Sequence, residues 1–208
     1  MQSELFDERP HQYTSLDELI ADMMTMDDDP LADAGTNVVI CRGNPKAKIM
    51  IVGEAPGPQE NEQGKPFVGR SGKLLNKILE AAGFDSENDV FVSNSVFRMP
   101  PGENGKNFRK PTNKEMEQYK PYLMEIIRLV DPKIILLTGN VPTFTILGKT
   151  GITKLRGQWV EWNGRLVMPI FHPAYLLRNP SKNPGSPKSL MWQDIQEVRR
   201  KYDELLNE

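Results

Sequence analysis

Three polar side chains able to do chemistry stand at or just beyond the ends of apolar runs. Glu54 follows Ile49-Met50-Ile51-Val52-Gly53, Asn94 closes Val90-Phe91-Val92-Ser93, and His172 follows a run ending in Ile170-Phe171. A carboxylate and an imidazole are the usual carriers of protons in catalysis, and an amide offers a donor and an acceptor to one polar edge. Each residue also has a plainer reading: a solvated loop acid, a turn asparagine, a structural histidine. The chain holds only two histidines, and His11 lies in an N-terminal stretch without periodicity. Its single cysteine, Cys41, excludes an internal disulfide framework and any all-cysteine metal site, and reads as a small apolar residue.

The elements that must position these groups are strands and the loops at their carboxyl ends, where open α/β sheets bind ligands. After Glu54 the chain runs through a loop stiffened by Pro56, Pro58 and Pro66 and freed by Gly53, Gly57, Gly64, Gly69 and Gly72, then re-emerges at Ser71 with helical periodicity. Such a loop can hold Glu54 and the ring of Phe67 in fixed relation, although Phe67 is also compatible with ordinary core. The glycines invite a phosphate-loop reading, but neither GxxxxGK[ST] nor GxGxxG is present.

The remaining elements follow from pattern. Ser15 and Glu18 open a helix with apolar Leu16, Leu19, Ile20, Met23 and Met24, which ends near Asp27-Asp28-Asp29-Pro30, a run that reads as a solvated turn. Strands are expected at Asn37–Cys41 and Lys48–Val52 about a turn at Arg42–Pro45, then at Val90–Asn94 and Lys133–Thr138. Leu74, Leu75, Ile78, Leu79 and Ala82 form one helical stripe, and Met116, Tyr119, Leu123, Ile126, Ile127 and Val130 another. A short helix ends near Gly148, and Gln158–Trp162 and Arg165–Ile170 flank Asn163-Gly164, a hairpin signal. Ser186-Pro187 starts a last helix whose Trp192, Ile195, Val198, Tyr202 and Leu205 are expected on the sheet. Strands alternating with helices imply an α/β fold, a three-layer α/β/α sandwich with a central, mainly parallel sheet.

With 208 residues and 38% hydrophobic content, the chain can form one sizeable domain, expected over 15–208 behind a loose tail at 1–14. No apolar run reaches the length of a membrane span and no signal-peptide pattern opens the sequence, so the protein is expected to be soluble and cytoplasmic, without a membrane partner. A monomer is expected, although a single chain gives no view of oligomeric state. The net charge of −2 conceals an asymmetry. Residues 1–36 carry ten acids against Arg9, leaving 25 bases and 18 acids in the rest. A moderately basic body is compatible with a phosphate backbone on one face. The stretch from Arg98 to Asn113, with Lys106, Arg109 and Lys110 and the extended Pro100-Pro101, reads as a basic loop that either contacts phosphates or is simply exposed.

GEAPG at 53–57, GKPFVGRSGKLL at 64–75 and HPAYLLR at 172–178 together resemble the motifs of the uracil-DNA glycosylase superfamily, specifically its family 4 branch, and the likeness extends from about Ser15 to the C-terminus. It implies the fold expected above and a DNA-repair glycosylase that flips uracil out of single- or double-stranded DNA and hydrolyses the bond from N1 to the deoxyribose, leaving an abasic site. By this resemblance Glu54 activates water and offsets positive charge on the sugar, and His172 donates to uracil O2. Ala55 and Phe67 contact the base, Phe67 by stacking, and Asn94 reads O4 and N3. Beside the catalytic histidine, apolar Leu176 is the natural wedge to fill the vacated stack, with Arg178 close to the phosphates. Apart from the resemblance, Arg109 and Lys110 of the basic loop and the helix N-terminus at Ser186 are candidate phosphate contacts. Iron-containing members of the branch hold an iron–sulfur cluster on four cysteines. The corresponding positions here are Met26, Asp29, Arg98 and Tyr119, so no cofactor and no metal are expected, and Asp29 and Arg98 are expected to form an ion pair. The basic loop has no histidine, which argues against covalent trapping of DNA as in a related branch. Two other readings remain open: a non-catalytic member of the fold that binds DNA or a replication partner, and a hydrolase of free nucleotides.

Overall fold

The computed structural model describes residues 13–26, 29–102 and 108–207. His11, Asp27, Asp28, Lys106 and most of the expected tail lie outside them. Tyr13 and Thr14 are tied down rather than loose: the Tyr13 hydroxyl donates to Asp22, its carbonyl accepts from Arg128, and Thr14 donates to Glu18. The elements are α1 (Leu16–Met24), β1 (Cys41–Gly43), β2 (Ile49–Gly53), α2 (Pro58–Gln63), α3 (Arg70–Ala81), β3 (Val90–Asn94), α4 (Asn113–Val130), β4 (Ile134–Thr138), α5 (Asn140–Leu147), α6 (Ile152–Leu155), β5 (Val160–Trp162), β6 (Arg165–Ile170), α7 (Pro173–Arg178) and α8 (Pro187–Leu206).

Six strands form one sheet in the order β1-β3-β2-β4-β6-β5, parallel through β3, β2, β4 and β6 and antiparallel at both edges. Strands β2, β3 and β4 are buried along their whole length, because helices cover both faces and leave no polar alternation. Alternate residues divide between two cores. Met50, Val52, Ile135 and Leu137 face α1, α4 and α5, while Ile49, Ile51, Ile134 and Leu136 face α3, α7 and α8. The chain leaves β2 for β3 on one side and returns to β4 on the other. That reversal is the switch point at which a crevice opens beyond the strand ends. Among the described residues no helix is long and apolar enough to cross a membrane.

Several expectations shift. The first strand begins at Cys41, not Asn37: Asn37 bonds Asn61 and the Val39 amide bonds Phe97, and only Cys41–Gly43 lie opposite β3. The glycine-rich loop contains α2, closed by left-handed Gly64, and the second motif is helical as α7. Trp192 and Met24, assigned to inward faces, are 38% and 54% exposed, since Ile195, Val198 and Tyr202, and Leu19 and Met23, already fill those seams.

Candidate active site

Three strand ends converge at the switch point. Parallel register puts Gly53 beside Asn94, and the two following loops are stitched together. The Ser95 amide and hydroxyl donate to the Gly53 carbonyl at 2.8 and 3.0 Å, and the Val96 amide donates to the Glu54 backbone carbonyl at 3.1 Å. At Gly53 the absence of a side chain makes room for two site residues. A Cβ there would stand 2.2 Å from Asn94 Oδ1 and 2.5 Å from Phe67 Cε2, so the amide and the ring share the volume that a methyl would take. Phe67 itself is buried, with φ 55, and its carbonyl rests on Gly72 of α3 so closely that a Cβ would lie 1.9 Å away. Phe67 is therefore held at two points, its ring against Gly53 and its backbone against Gly72.

His172 precedes α7 as its N-cap. The Ala174 amide donates to Nδ1 at 3.1 Å, so that nitrogen carries a lone pair and the neutral ring must hold its proton on Nε2. Burial, reinforced by the charge of Arg178, lowers the imidazole pKa to about 4, and the ring is neutral at physiological pH. Across from it stands Phe67, with ring centroids 6.1 Å apart and planes inclined by 29°. Burial pushes the Glu54 carboxyl above its ordinary value, and the ammonium of Lys110 opposes that shift. Glu54, Ala55, Phe67, Asn94 and His172 all line one cleft of about 530 Å³. A carboxylate, a ring, an amide and a neutral imidazole donor thus face a common space, with cations of Lys110 and Arg178 at its wall.

The residues expected to contact DNA differ in what they touch. Leu176 is fully buried in the core between α7 and the sheet and is not presented to a duplex in this conformation, whereas its neighbour Leu177 is exposed, at 37%. Helical phase decides this: Pro173 and Leu176, three residues apart, form the inward face of α7, and Leu177 falls about 100° round from it. Arg109 lines the cleft, yet its guanidinium grips Glu115 through two nitrogens at 2.8 and 2.5 Å and braces the capping box of α4. Ser186 lies away from the cleft lining, and its hydroxyl donates to the Ser181 carbonyl while capping α8. Sequence reading missed Glu60, Phe108 and Tyr175, which also line the cleft. Glu60 lies between the two stretches of the first motif, at 53–57 and 64–75, where its neighbours gave no sign of which way it points.

The four positions aligned with cluster ligands hold a different construction. Asp29 pairs with Arg98 as expected, the Tyr119 hydroxyl also donates to Asp29, and Arg98 donates to the Thr36 carbonyl. Met26 packs against the neighbouring core. With no thiolate among them, and with their polar atoms committed to one another, these residues do not fit an iron–sulfur cluster. Among the described residues no group of three His, Cys, Asp or Glu side chains could hold a metal ion.

Comparison with known proteins agrees with this geometry. Residues 41–196 match the family described as the uracil DNA glycosylase superfamily. The chain is 38% identical over 173 residues to a type-4 uracil-DNA glycosylase of Thermotoga maritima, covering 82% of this chain and 85% of that one. A type-4 uracil-DNA glycosylase of Sulfurisphaera tokodaii is 38% identical over 174 residues, with 79% and 74% covered. One of Archaeoglobus fulgidus is 35% identical over 175 residues, with 80% and 85% covered.

Proposed function

The chain belongs to the uracil DNA glycosylase superfamily, and from that premise we propose that it excises uracil from DNA by hydrolysing the N-glycosidic bond. The observation that carries the proposal is the meeting of Glu54, Phe67, Asn94 and His172 on one cleft, with the imidazole proton held on Nε2.

The target base leaves the stack and enters the cleft over the Phe67 ring, an extrusion that costs a few kcal/mol. Asn94 donates from its amide nitrogen to uracil O4 and accepts from N3–H. Cytosine presents a donor where O4 would be, so it leaves that amide mismatched. As the bond from C1′ to N1 breaks, its electron pair passes to the base and charge accumulates on O2. The Nε2–H of neutral His172 donates there, and a preorganised donor in an enclosed site stabilises that charge more than water would. The Glu54 carboxylate offsets positive charge on the sugar and takes a proton from the water that attacks C1′. The proton equivalent then passes to the departing uracil through solvent.

At the rim, Lys110 and Arg178 contact flanking phosphates, and exposed Leu177 fills the vacated position in a duplex. The α8 N-terminus, capped by Ser186, offers backbone amides to a further phosphate. Acting as a cytoplasmic monomer needs no second chain, since one copy supplies every group named. The test is incubation with an end-labelled oligonucleotide bearing one uracil, followed by alkaline cleavage and a denaturing gel. Strand scission is expected with the wild type, and a loss of roughly 10²–10⁴-fold in single-turnover rate with Glu54→Ala and with His172→Ala. No scission by a folded wild type would overturn the reading.

A further inference from the structure

Phe67 is held in the left-handed region, φ 55, a conformation that residues with a Cβ seldom adopt without outside constraint. Two charged side chains supply that constraint, one from each side. Beyond the ring, Glu60 of α2 is buried, and its Oε1 accepts from the Val68 amide at 2.9 Å and from the Gly69 amide at 2.7 Å. Before the ring, Arg42 of β1 has a side chain only 6% exposed, and its Nε donates to the Pro66 carbonyl at 2.9 Å. Arg42 is anchored in turn, donating to the Ser86 carbonyl, Glu87 and Asn76 at 3.1, 2.9 and 2.7 Å. The backbone on both sides of Phe67 is therefore gripped by ions fixed to different elements of the sheet and helices. Gly69 allows the grip, because a Cβ there would stand 3.0 Å from Glu60 Oε1.

We propose that Arg42 and Glu60 are positioning residues, a two-sided clamp that sets the Phe67 ring as a preformed platform for the extruded base. This inference rests on the uracil-excision reading above. A buried carboxylate accepting two backbone amides makes strong charge-assisted bonds, and their loss frees the residue they bracket to relax toward ordinary backbone angles. A loosened ring weakens holding of the base more than it alters the bond-breaking step. Glu60 lines the cleft, so a chemical role for its charge is the competing account that an experiment must separate.

The experiment compares Glu60→Ala and Glu60→Gln with the wild type on a single-stranded uracil oligonucleotide. It records KM, kcat, inhibition by free uracil and a thermal melt. Glu60→Ala is expected to raise KM and the uracil inhibition constant about tenfold or more, with a smaller change in kcat and one cooperative melt. Glu60→Gln keeps the accepting oxygen and is expected to recover most of both losses. Should Glu60→Ala fail to fold, Glu60→Asp, whose carboxylate stops short of the two amides, is measured in its place with the same expectation. The clamp is overturned if an active wild type and Glu60→Ala share the same constants, or if both variants lose kcat equally with KM unchanged. A wild type that excises no uracil overturns the functional reading and the clamp with it.

Discussion

Replacing Gly53 by alanine tests the convergence on which the site depends. The added Cβ would lie 2.2 Å from Asn94 Oδ1, 2.5 Å from Phe67 Cε2 and 2.8 Å from Phe67 Cζ. Carbon–oxygen contacts settle at about 3.3–3.6 Å and carbon–carbon contacts at about 3.5–4.0 Å, so each neighbour is roughly 1 Å too near. The β2 backbone cannot retreat, because Gly53 is in register with Asn94 and its carbonyl holds Ser95. The amide and the ring must yield instead, and they are the two groups assigned to read and stack the base. A displacement of about 1 Å in a positioned group costs on the order of 10²-fold in rate. Overpacking adds roughly 1–3 kcal/mol of destabilisation. Single-turnover excision measured with thermal unfolding separates the two effects: the rate is expected to fall about a hundredfold in protein that remains folded at the assay temperature. Gly53→Ala with a wild-type rate would show that Asn94 and Phe67 do not act from these positions.

Other perturbations follow from the same geometry. Leu177→Ala is expected to slow excision from duplex DNA several-fold more than from single strands, a fraction of the few kcal/mol at stake in extrusion, and equal losses would count against the wedge. Leu176→Ala, by contrast, empties a core site and should cost about 2–5 kcal/mol in urea unfolding. Lys110→Ala removes the charge that holds the Glu54 carboxyl down. The acid limb of kcat/KM should therefore move to higher pH, and an unmoved or lowered limb would refute the coupling. Because His172 is neutral down to about pH 4, no second inflection near 6.5 is expected in that profile. Arg98→Ala leaves Asp29, whose side chain is only 1% exposed, without its counter-ion and should cost about 3–5 kcal/mol, read as a lower urea midpoint. A loss under 1 kcal/mol would mean the pair carries little of the local structure.

The strands that build the centre of the sheet were legible because a strand buried on both faces must be apolar along its length, as β2, β3 and β4 are. The candidate site was legible for a related reason: Glu54, Asn94 and His172 are polar residues where such runs stop, and the motifs linking them are specific. The Asp29–Arg98 pair could be anticipated only through the resemblance, which aligned two positions 69 residues apart. The edge strand β1 was misplaced by several residues, since its extent is set by which residues reach β3 and not by their own propensity. Helix α2 was hidden among glycines and prolines that punctuate loops and helix ends alike.

By itself, the sequence determined the class of fold, the strand ends that carry reactive groups, and the absence of cysteines for a cluster, because composition and period are local properties of the chain. The tertiary structure alone decided which of two adjacent leucines faces solvent and that Arg109 serves Glu115. It alone decided that His172 carries its proton on Nε2 and that Glu60 and Arg42 bracket Phe67. These depend on direction and partner, and a side chain acquires both only when distant segments have packed around it.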